Sequence, residues 1–415
     1  MANHNDTLSP AVVNRGRTVA LAGIGINLAL GVLYTWSMFK GAIEKDFGWA
    51  GPRLNDPYAL CCLVFAFAMI LAGRCQDKFG PRLTASIGGL LVAAGLILIS
   101  RTNSYAVWVF GFGVLVGTGI GFGYSSATPP ALKWFPPSKT GLIAGLVVAG
   151  FGLAPVYLAP TSQYLLARFH LQGAMLIFGI AFLVIVCGLA QLLVNPPAGY
   201  VVATKSGAAK PAAASSTPSQ MLQTPSFWLL WALYFIGAGA GLMVISSISP
   251  IAKKSMGEAA FIAVAVMAVG NAAGRIGAGV LSDKIGRRWT LMIVLLCQAV
   301  LMFIAIPVTG SKETAAVVVV LIATLIGFNY GANLSLFPSF TKDLWGLKSF
   351  GVNYGVLFTA WGVGGFVFSR VQQTLLAGSK SYTSSFIAAG ILLIVGAAMT
   401  FLIKPPQPKL AAVPA

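Results

Sequence analysis

Acidic residues are scarce in this chain: nine Asp and Glu among 415 residues, beside two His and 27 Lys and Arg. All nine acids fall in a tail, a loop or the end of an apolar block, and His4 and His170 also lie outside the block interiors. Inside the blocks there is no material for paired carboxylates, a histidine base or a His/Asp/Glu metal cluster. An enzyme is therefore not expected, and neither is a metal or other cofactor. Charge of either sign is also thin, at 9% of residues against roughly a quarter in an ordinary soluble domain. That is too little to clothe a soluble protein of this length. The five cysteines are odd in number, with Cys61 and Cys62 adjacent and no metal-ligand spacing, so they read as structural thiols.

What fills the chain is apolar. Hydrophobic residues make up 57%, and they come in blocks long enough to cross a hydrocarbon core of about 30 Å as helices. Twelve blocks are expected: 17–43, 56–74, 83–101, 106–130, 140–166 and 172–194, then 226–250, 259–282, 289–308, 314–340, 350–376 and 382–403. The fold class expected is an all-α membrane protein. The first block, Thr18–Phe39, is longer than the apolar core of a signal peptide and is expected to be retained. Segment 195–224, with Pro196, Pro197, Lys205, Lys210, Pro211 and Pro218 among Ala and Ser, reads as a linker. It divides the chain into a first half, 1–194, and a second, 225–415.

The net charge of +18 can signal nucleic acid, but these bases sit in short loops between apolar blocks. With both termini inside, sixteen of the 27 bases are cytoplasmic and ten external, a positive-inside bias. Contact with anionic lipid is expected, nucleic acid is not. The remaining base, Arg275, lies inside the eighth block.

The two halves repeat. Gly73-Arg-Cys-Gln-Asp77-Lys78-Phe-Gly80-Pro-Arg82 recurs 206 residues on as Gly279-Val-Leu-Ser-Asp283-Lys284-Ile-Gly286-Arg287-Arg288. Gly121-Phe122-Gly123-Tyr124 recurs at the same shift as Gly327-Phe328-Asn329-Tyr330. Gly141, Gly145 and Gly152 recur 210 residues on as Gly351, Gly355 and Gly362. Three matches in one order imply a duplicated six-helix unit, and substrate sites in such folds lie between the halves near the midplane. The small-residue ladders Gly113/Gly117/Gly121 and Gly270/Gly274/Ala278 need only close helix packing.

Arg275 is the sharpest signal, since ionisable residues inside a membrane are costly and mark function. Snorkelling is the alternative: Leu281 is six residues on, about 9 Å by helical rise. Its face carries Asn271 at i−4 together with small residues, which favours a polar cavity. No interior acid is available as its partner, so an anion from outside the chain would relieve the buried cation. A guanidinium fork matches a carboxylate. Tyr34, Tyr124, Tyr330, Phe358 and Trp361, with Leu28, are candidates to wall the cavity. For each aromatic the alternative is core packing or an interfacial belt. Tyr124 and Tyr330 stand out because they hold equivalent places in the repeats.

The repeated Gly-x-x-x-Asp-Lys-x-Gly loop resembles the signature of the major facilitator superfamily. That resemblance implies twelve helices in two six-helix pseudo-repeats, with Gly73, Asp77, Lys78, Gly80 and Arg82, and Gly279, Asp283, Lys284, Gly286 and Arg287, acting as conformational latches. Over all twelve helices the chain resembles two groups within it, the oxalate/formate antiporter family and the monocarboxylate transporters. The resemblance is strongest at Gly31-Val32-Leu33-Tyr34-Thr35-Trp36-Ser37, Lys133-Trp134-Phe135-Pro136 and Asn353-Tyr354-Gly355-Val356 to Trp361-Gly362. Arg275 falls where both groups carry a carboxylate-binding arginine. Oxalate exchangers place a lysine where this chain has Trp361, and one cation suits one carboxylate. Animal-type monocarboxylate transporters carry an Asp and a lysine where Asn271 and Met38 stand here. The expectation is a monomeric carrier in a bacterial inner membrane, moving a small monocarboxylate such as lactate, pyruvate or acetate with a proton. Anion exchange is the second reading. A non-transporting sensor and a membrane enzyme are the remaining classes.

Overall fold

The computed structural model describes residues 10–49, 51–136, 139–197, 200, 216–310, 315–379 and 381–404. Its long elements are helices. In the first half α1 runs Pro10–Leu30 and continues through a 3₁₀ turn, Gly31–Thr35, into Trp36–Phe47. Then come α2 (Asp56–Phe79) and α3 (Pro81–Ile99). Helix α4 starts at Tyr105–Trp108, passes through a π-helical stretch, Val109–Val116, and ends as Gly117–Trp134. A single 51-residue stretch, Thr140–Ala190, follows. At His170 its backbone leaves helical geometry (φ 58°, ψ −178°), which divides it into α5 (140–169) and α6 (171–190). The second half holds α7 (Pro225–Ile245), α8 (Ala260–Ile285), α9 (Arg287–Gly310), α10 (Ala316–Trp345), α11 (Phe350–Ser379) and α12 (Thr383–Met399).

Among the described residues, eleven stretches are long and apolar enough to cross a membrane, and the division at His170 makes them the twelve blocks expected. Their ends differ from the sequence reading by a few residues, since polar and charged ends such as Asp77 and Lys342 remain helical. Of the expected linker, 201–215 lies outside the described residues, and Pro218–Leu222 forms a short helix capped by Thr217. The bundle surface is apolar: Val317 is 76% exposed, Val184 67% and Leu71 66%. Such a surface has no place in water and meets lipid. This is an integral membrane protein.

Helices α3 and α6 flank the first half, and α9 and α12 pair on the flank of the second. The halves meet chiefly through α5 against α8 and α2 against α11. The repeated glycines make those contacts. A Cβ on Gly141 would stand 2.3 Å from the carbonyl oxygen of Gly279, and one on Gly73 2.2 Å from that of Gly351. Only glycine permits such an approach, which would otherwise be blocked by a side chain. At the end of the bundle carrying these loops, called the inner end after the orientation expected from the basic residues, Gly80 (φ 88°) and Gly286 (φ 91°) terminate α2 and α8 in a conformation that glycine adopts without strain.

Candidate functional site

Arg275 is fully buried in α8 (0% exposed), which removes the snorkelling reading. Its Nε donates to Asn271 Oδ1 at 2.9 Å, one helical turn back. Its Nη1 donates to the carbonyl oxygen of Val148 in α5, on the other half. Its Nη2 is buried and without a hydrogen-bond partner among the described residues. The ion pairs among those residues do not involve it. Close backbone packing fixes this geometry. A Cβ on Gly331 of α10 would stand 1.9 Å from the Asn271 carbonyl oxygen, and one on Gly152 of α5 3.2 Å from both Arg275 Nε and Asn271 Oδ1.

Aromatic side chains from both halves close over this pair. Tyr34, on the 3₁₀ turn of α1, lies 2.6 Å from the hydroxyl of Tyr330 in α10. Trp361 Nε1 in α11 donates to the same Tyr330 oxygen at 2.9 Å. Phe358 stacks on Trp361 with ring centroids 5.0 Å apart, and Tyr124 packs against Phe358 at 5.6 Å. The Tyr124 hydroxyl is buried with no hydrogen-bond partner among the described residues. The structure thus gathers Arg275, Asn271, Tyr34, Tyr124, Tyr330, Phe358 and Trp361 at one place, all of them buried. Leu28 is placed by a different contact: it is partly exposed, and its carbonyl accepts from Tyr157 of α5 at 3.0 Å.

Sequence reasoning missed Phe65 of α2 and Phe151 of α5, whose rings complete the cage. Phe65 lies 5.3 Å from Trp361 and 5.5 Å from Tyr124; Phe151 lies 5.0 Å from Tyr34. It also missed the Val148 carbonyl. The repeat could have found all three. The 206-residue shift carries Asn271 onto Phe65 and Arg275 onto Met69. The 210-residue shift carries Trp361 onto Phe151 and Phe358 onto Val148. The site is therefore a pseudo-symmetric pair whose two members differ: a guanidinium with its amide on one side, methionine and aromatic rings on the other.

At the inner end, Asp283 accepts from the backbone N–H groups of Gly141 and Leu142, both at 3.1 Å, and from Arg287 at 2.6 Å. Asp77 accepts from Gly351 and Val352 at 3.3 and 3.2 Å. Each carboxylate meets the N-terminus of a helix in the opposite half, where unsatisfied N–H groups and the helix dipole favour an anion. Arg82 donates to the Leu193 carbonyl oxygen at 3.2 Å, within its own half. Lys78 and Lys284 are exposed, and Lys78 lies over the Phe79 ring.

No group of three or more His, Cys, Asp or Glu that could hold a metal occurs among the described residues. The family model described as Major Facilitator Superfamily matches residues 15–369. The chain is 30% identical over 366 residues to an uncharacterized MFS-type transporter, YhjX, of Escherichia coli (strain K12), covering 86% of this chain and 88% of that one. It is 26% identical to the oxalate:formate antiporter of Oxalobacter formigenes (94% and 92% covered). It is 24% identical to monocarboxylate transporter 13 of Rattus norvegicus (89% and 84% covered). Among solved structures, the Escherichia coli fucose:proton symporter superposes with a TM-score of 0.65 at 15% identity, over 93% of this chain and 98% of that one.

Proposed function

Because the chain belongs to the Major Facilitator Superfamily, we propose that it carries small monocarboxylates, such as lactate, pyruvate or acetate, with a proton and by alternating access. One observation carries the substrate class: the Nη2 group of a fully buried, acid-free Arg275 is left unpartnered beside an aromatic cage. Leaving such a donor unpaired is expensive, and a carboxylate satisfies its charge and its geometry together. Asn271 aligns the guanidinium and is in place to meet a 2-hydroxyl. Tyr124 offers a second free polar group, while Trp361 and Phe358 exclude bulk and leave no second cation for a dicarboxylate.

The halves 1–194 and 225–415, joined by 195–224, rock about the site as bodies. The Asp77 and Asp283 contacts close the inner end, and their release opens it. The loaded Arg275 exchanges its bond across the halves for one to substrate. With no interior acid, the proton travels on the substrate carboxyl or through water. We place the carrier in a bacterial inner membrane, monomeric, with both termini cytoplasmic. Labelled lactate uptake into proteoliposomes, with and without an inward proton gradient, tests this. Uptake indifferent to the gradient removes the proton, and no uptake of any short acid removes the substrate class.

Anion exchange is the second reading. The bond from Arg275 to Val148 ties the halves together, and the relative from Oxalobacter formigenes is named an antiporter. Flux that requires a carboxylate on both sides of the membrane favours it.

A further inference from the structure

The halves meet again at the end of the bundle opposite the signature loops. Asp56 opens α2 in the first half, and Arg370 lies in the last third of α11 in the second. Arg370 Nη2 stands 3.3 Å from Asp56 Oδ1. Tyr105, which opens α4, donates its hydroxyl to Asp56 Oδ2 at 2.7 Å. The Arg53 guanidinium lies 5.5 Å from the Tyr105 ring, and that of Arg370 lies 5.6 Å from the Phe366 ring. Of the three ion pairs among the described residues, Asp56–Arg370 is the one that joins the halves; Arg287–Asp283 and Arg287–Asp343 lie within the second.

Behind the pair is a cavity of about 40 Å³, lined by Tyr58 and Cys62 of α2, Leu242 and Ser246 of α7, and Phe366 of α11. It has room for a few water molecules. Cys62 is one turn before Phe65, so the cavity leads from the ion pair toward the aromatic cage.

The two ends of the bundle are closed by contacts of different strength. Four backbone N–H groups hold the inner carboxylates, over helices packed too closely for a Cβ. The other end has one pair, with side chains 48% and 27% exposed. A contact of that exposure biases a closed state by a factor of about five at most. Asp56 also keeps its Tyr105 bond if Arg370 lets go, so release leaves its carboxylate partly satisfied, whereas Arg370 then stands open to a different carboxylate.

We propose that Asp56 and Arg370 form the outer gate of the carrier, and that Arg370 is a first docking point for the substrate carboxylate, which opens the gate by replacing Asp56 on the guanidinium. The docking step rests on the monocarboxylate reading above and extends it to the route of entry; the gate itself does not depend on it. One carboxylate exchanges for another on Arg370, and Asp56 keeps the hydrogen bond from Tyr105.

Cys62 reports the gate directly. In a protein keeping Cys62, with Cys61, Cys75, Cys187 and Cys297 replaced by alanine, its alkylation by a membrane-impermeant thiol reagent added outside is followed in proteoliposomes. Asp56→Asn and Arg370→Gln each raise the rate about two- to fivefold, and the swap Asp56→Arg with Arg370→Asp restores it toward the starting value. In an Arg275→Gln version, where the central site is disabled, millimolar L-lactate still accelerates labelling, and adding Arg370→Gln abolishes that response. Unchanged labelling in both single variants overturns the gate. Acceleration by lactate that survives Arg370→Gln, or that is missing in the Arg275→Gln version, overturns the docking role. If the unaltered carrier neither binds nor moves lactate, the substrate reading fails, while the response of labelling to the charge variants still decides the gate.

Discussion

Arg275 of α8 donates a hydrogen bond to the carbonyl oxygen of Val148 in α5, so one buried cation ties the two halves together at the level of the aromatic cage. Its three nitrogens are divided among three tasks. Nε is aligned by Asn271, Nη1 holds the opposite half, and Nη2 is free among the described residues. A carboxylate bound at the Nη1–Nη2 fork would compete with the Val148 carbonyl for the same guanidinium, so binding would weaken the α5–α8 bond. On the proposed function, such competition would couple occupancy to movement of the halves, because a ligand shifts a conformational equilibrium by the difference in its contacts with the two states.

Arg275→Met tests the cost of this arrangement. The repeat places Met69 at the equivalent position of α2, so the fold already packs methionine there. Removing a buried cation with an unsatisfied donor is neutral or stabilising by about 1–4 kcal/mol, partly offset by the Asn271 oxygen that loses its donor. Melting of the purified protein is expected to be unchanged or raised. Its stabilisation by lactate is expected to vanish. Lactate stabilisation that persists in this variant removes Arg275 from the site.

Tyr330 and Tyr124 are repeat partners with opposite bonding, and this separates a structural hydroxyl from a free one. Tyr330→Phe strips Trp361 Nε1 of its acceptor and Tyr34 of its partner; stranding buried polar groups costs about 1–3 kcal/mol each. Tyr124→Phe removes a hydroxyl that has no partner among the described residues and is expected to cost under about 1 kcal/mol of stability. Melting curves of the two variants without ligand measure the contrast. Equal destabilisation contradicts the bonding described.

Much of this architecture was legible before any coordinates. Length and hydropathy separate the twelve blocks, because a helix that crosses a membrane must satisfy its own backbone and present an apolar surface. The junction of α5 and α6 shows the limit: a continuous helical run is broken at His170 by one backbone conformation that composition does not announce. Arg275 stood out because charge inside an apolar block is rare. Val148 could not stand out by residue type, since its contribution is a carbonyl oxygen that every residue has. Phe65 and Phe151 were hidden among 26 phenylalanines, and only the repeat shift applied to predicted residues singles them out. Lys78 and Lys284 match the loop pattern, yet the contacts across the halves are made by its aspartates and glycines.

The two inner carboxylates are expected to differ in weight. Asp283 is 14% exposed at its side chain and combines two N–H bonds with Arg287 at 2.6 Å. Asp77 is exposed and receives two longer N–H bonds. Asparagine puts an amide where the helix N-terminus wants charge. Asp283→Asn is expected to shift the inner end toward open about tenfold, near 1.4 kcal/mol, and Asp77→Asn several times less. Distances between spin labels at Lys139 and Lys284, and at Lys78 and Lys348, measure the populations. A larger effect at Asp77 reverses the ranking.

The sharpest separation of binding from movement lies at the repeated glycines. A Cβ at Gly145 would stand 2.4 Å from the carbonyl oxygen of Arg275, and one at Gly355 2.5 Å from that of Met69. Both acceptors are backbone atoms in helices, so they cannot swing aside as a flexible side chain could. Alanine at either place forces α5 from α8, or α11 from α2, and the inner end cannot close as it does here. Gly355 meets the backbone of Met69, and Gly145 meets the backbone of Arg275 and not its guanidinium. Gly145→Ala and Gly355→Ala are therefore expected to keep lactate-induced thermal stabilisation in detergent and to lose at least about tenfold of uptake, as a carrier that cannot complete its cycle must. Gly41→Ala is the control, since nothing lies within 4 Å of its Cβ position. Full transport by Gly145→Ala shows that this closed inner end is not a state through which the cycle passes; loss of binding along with transport shows that the substitution reaches the site itself.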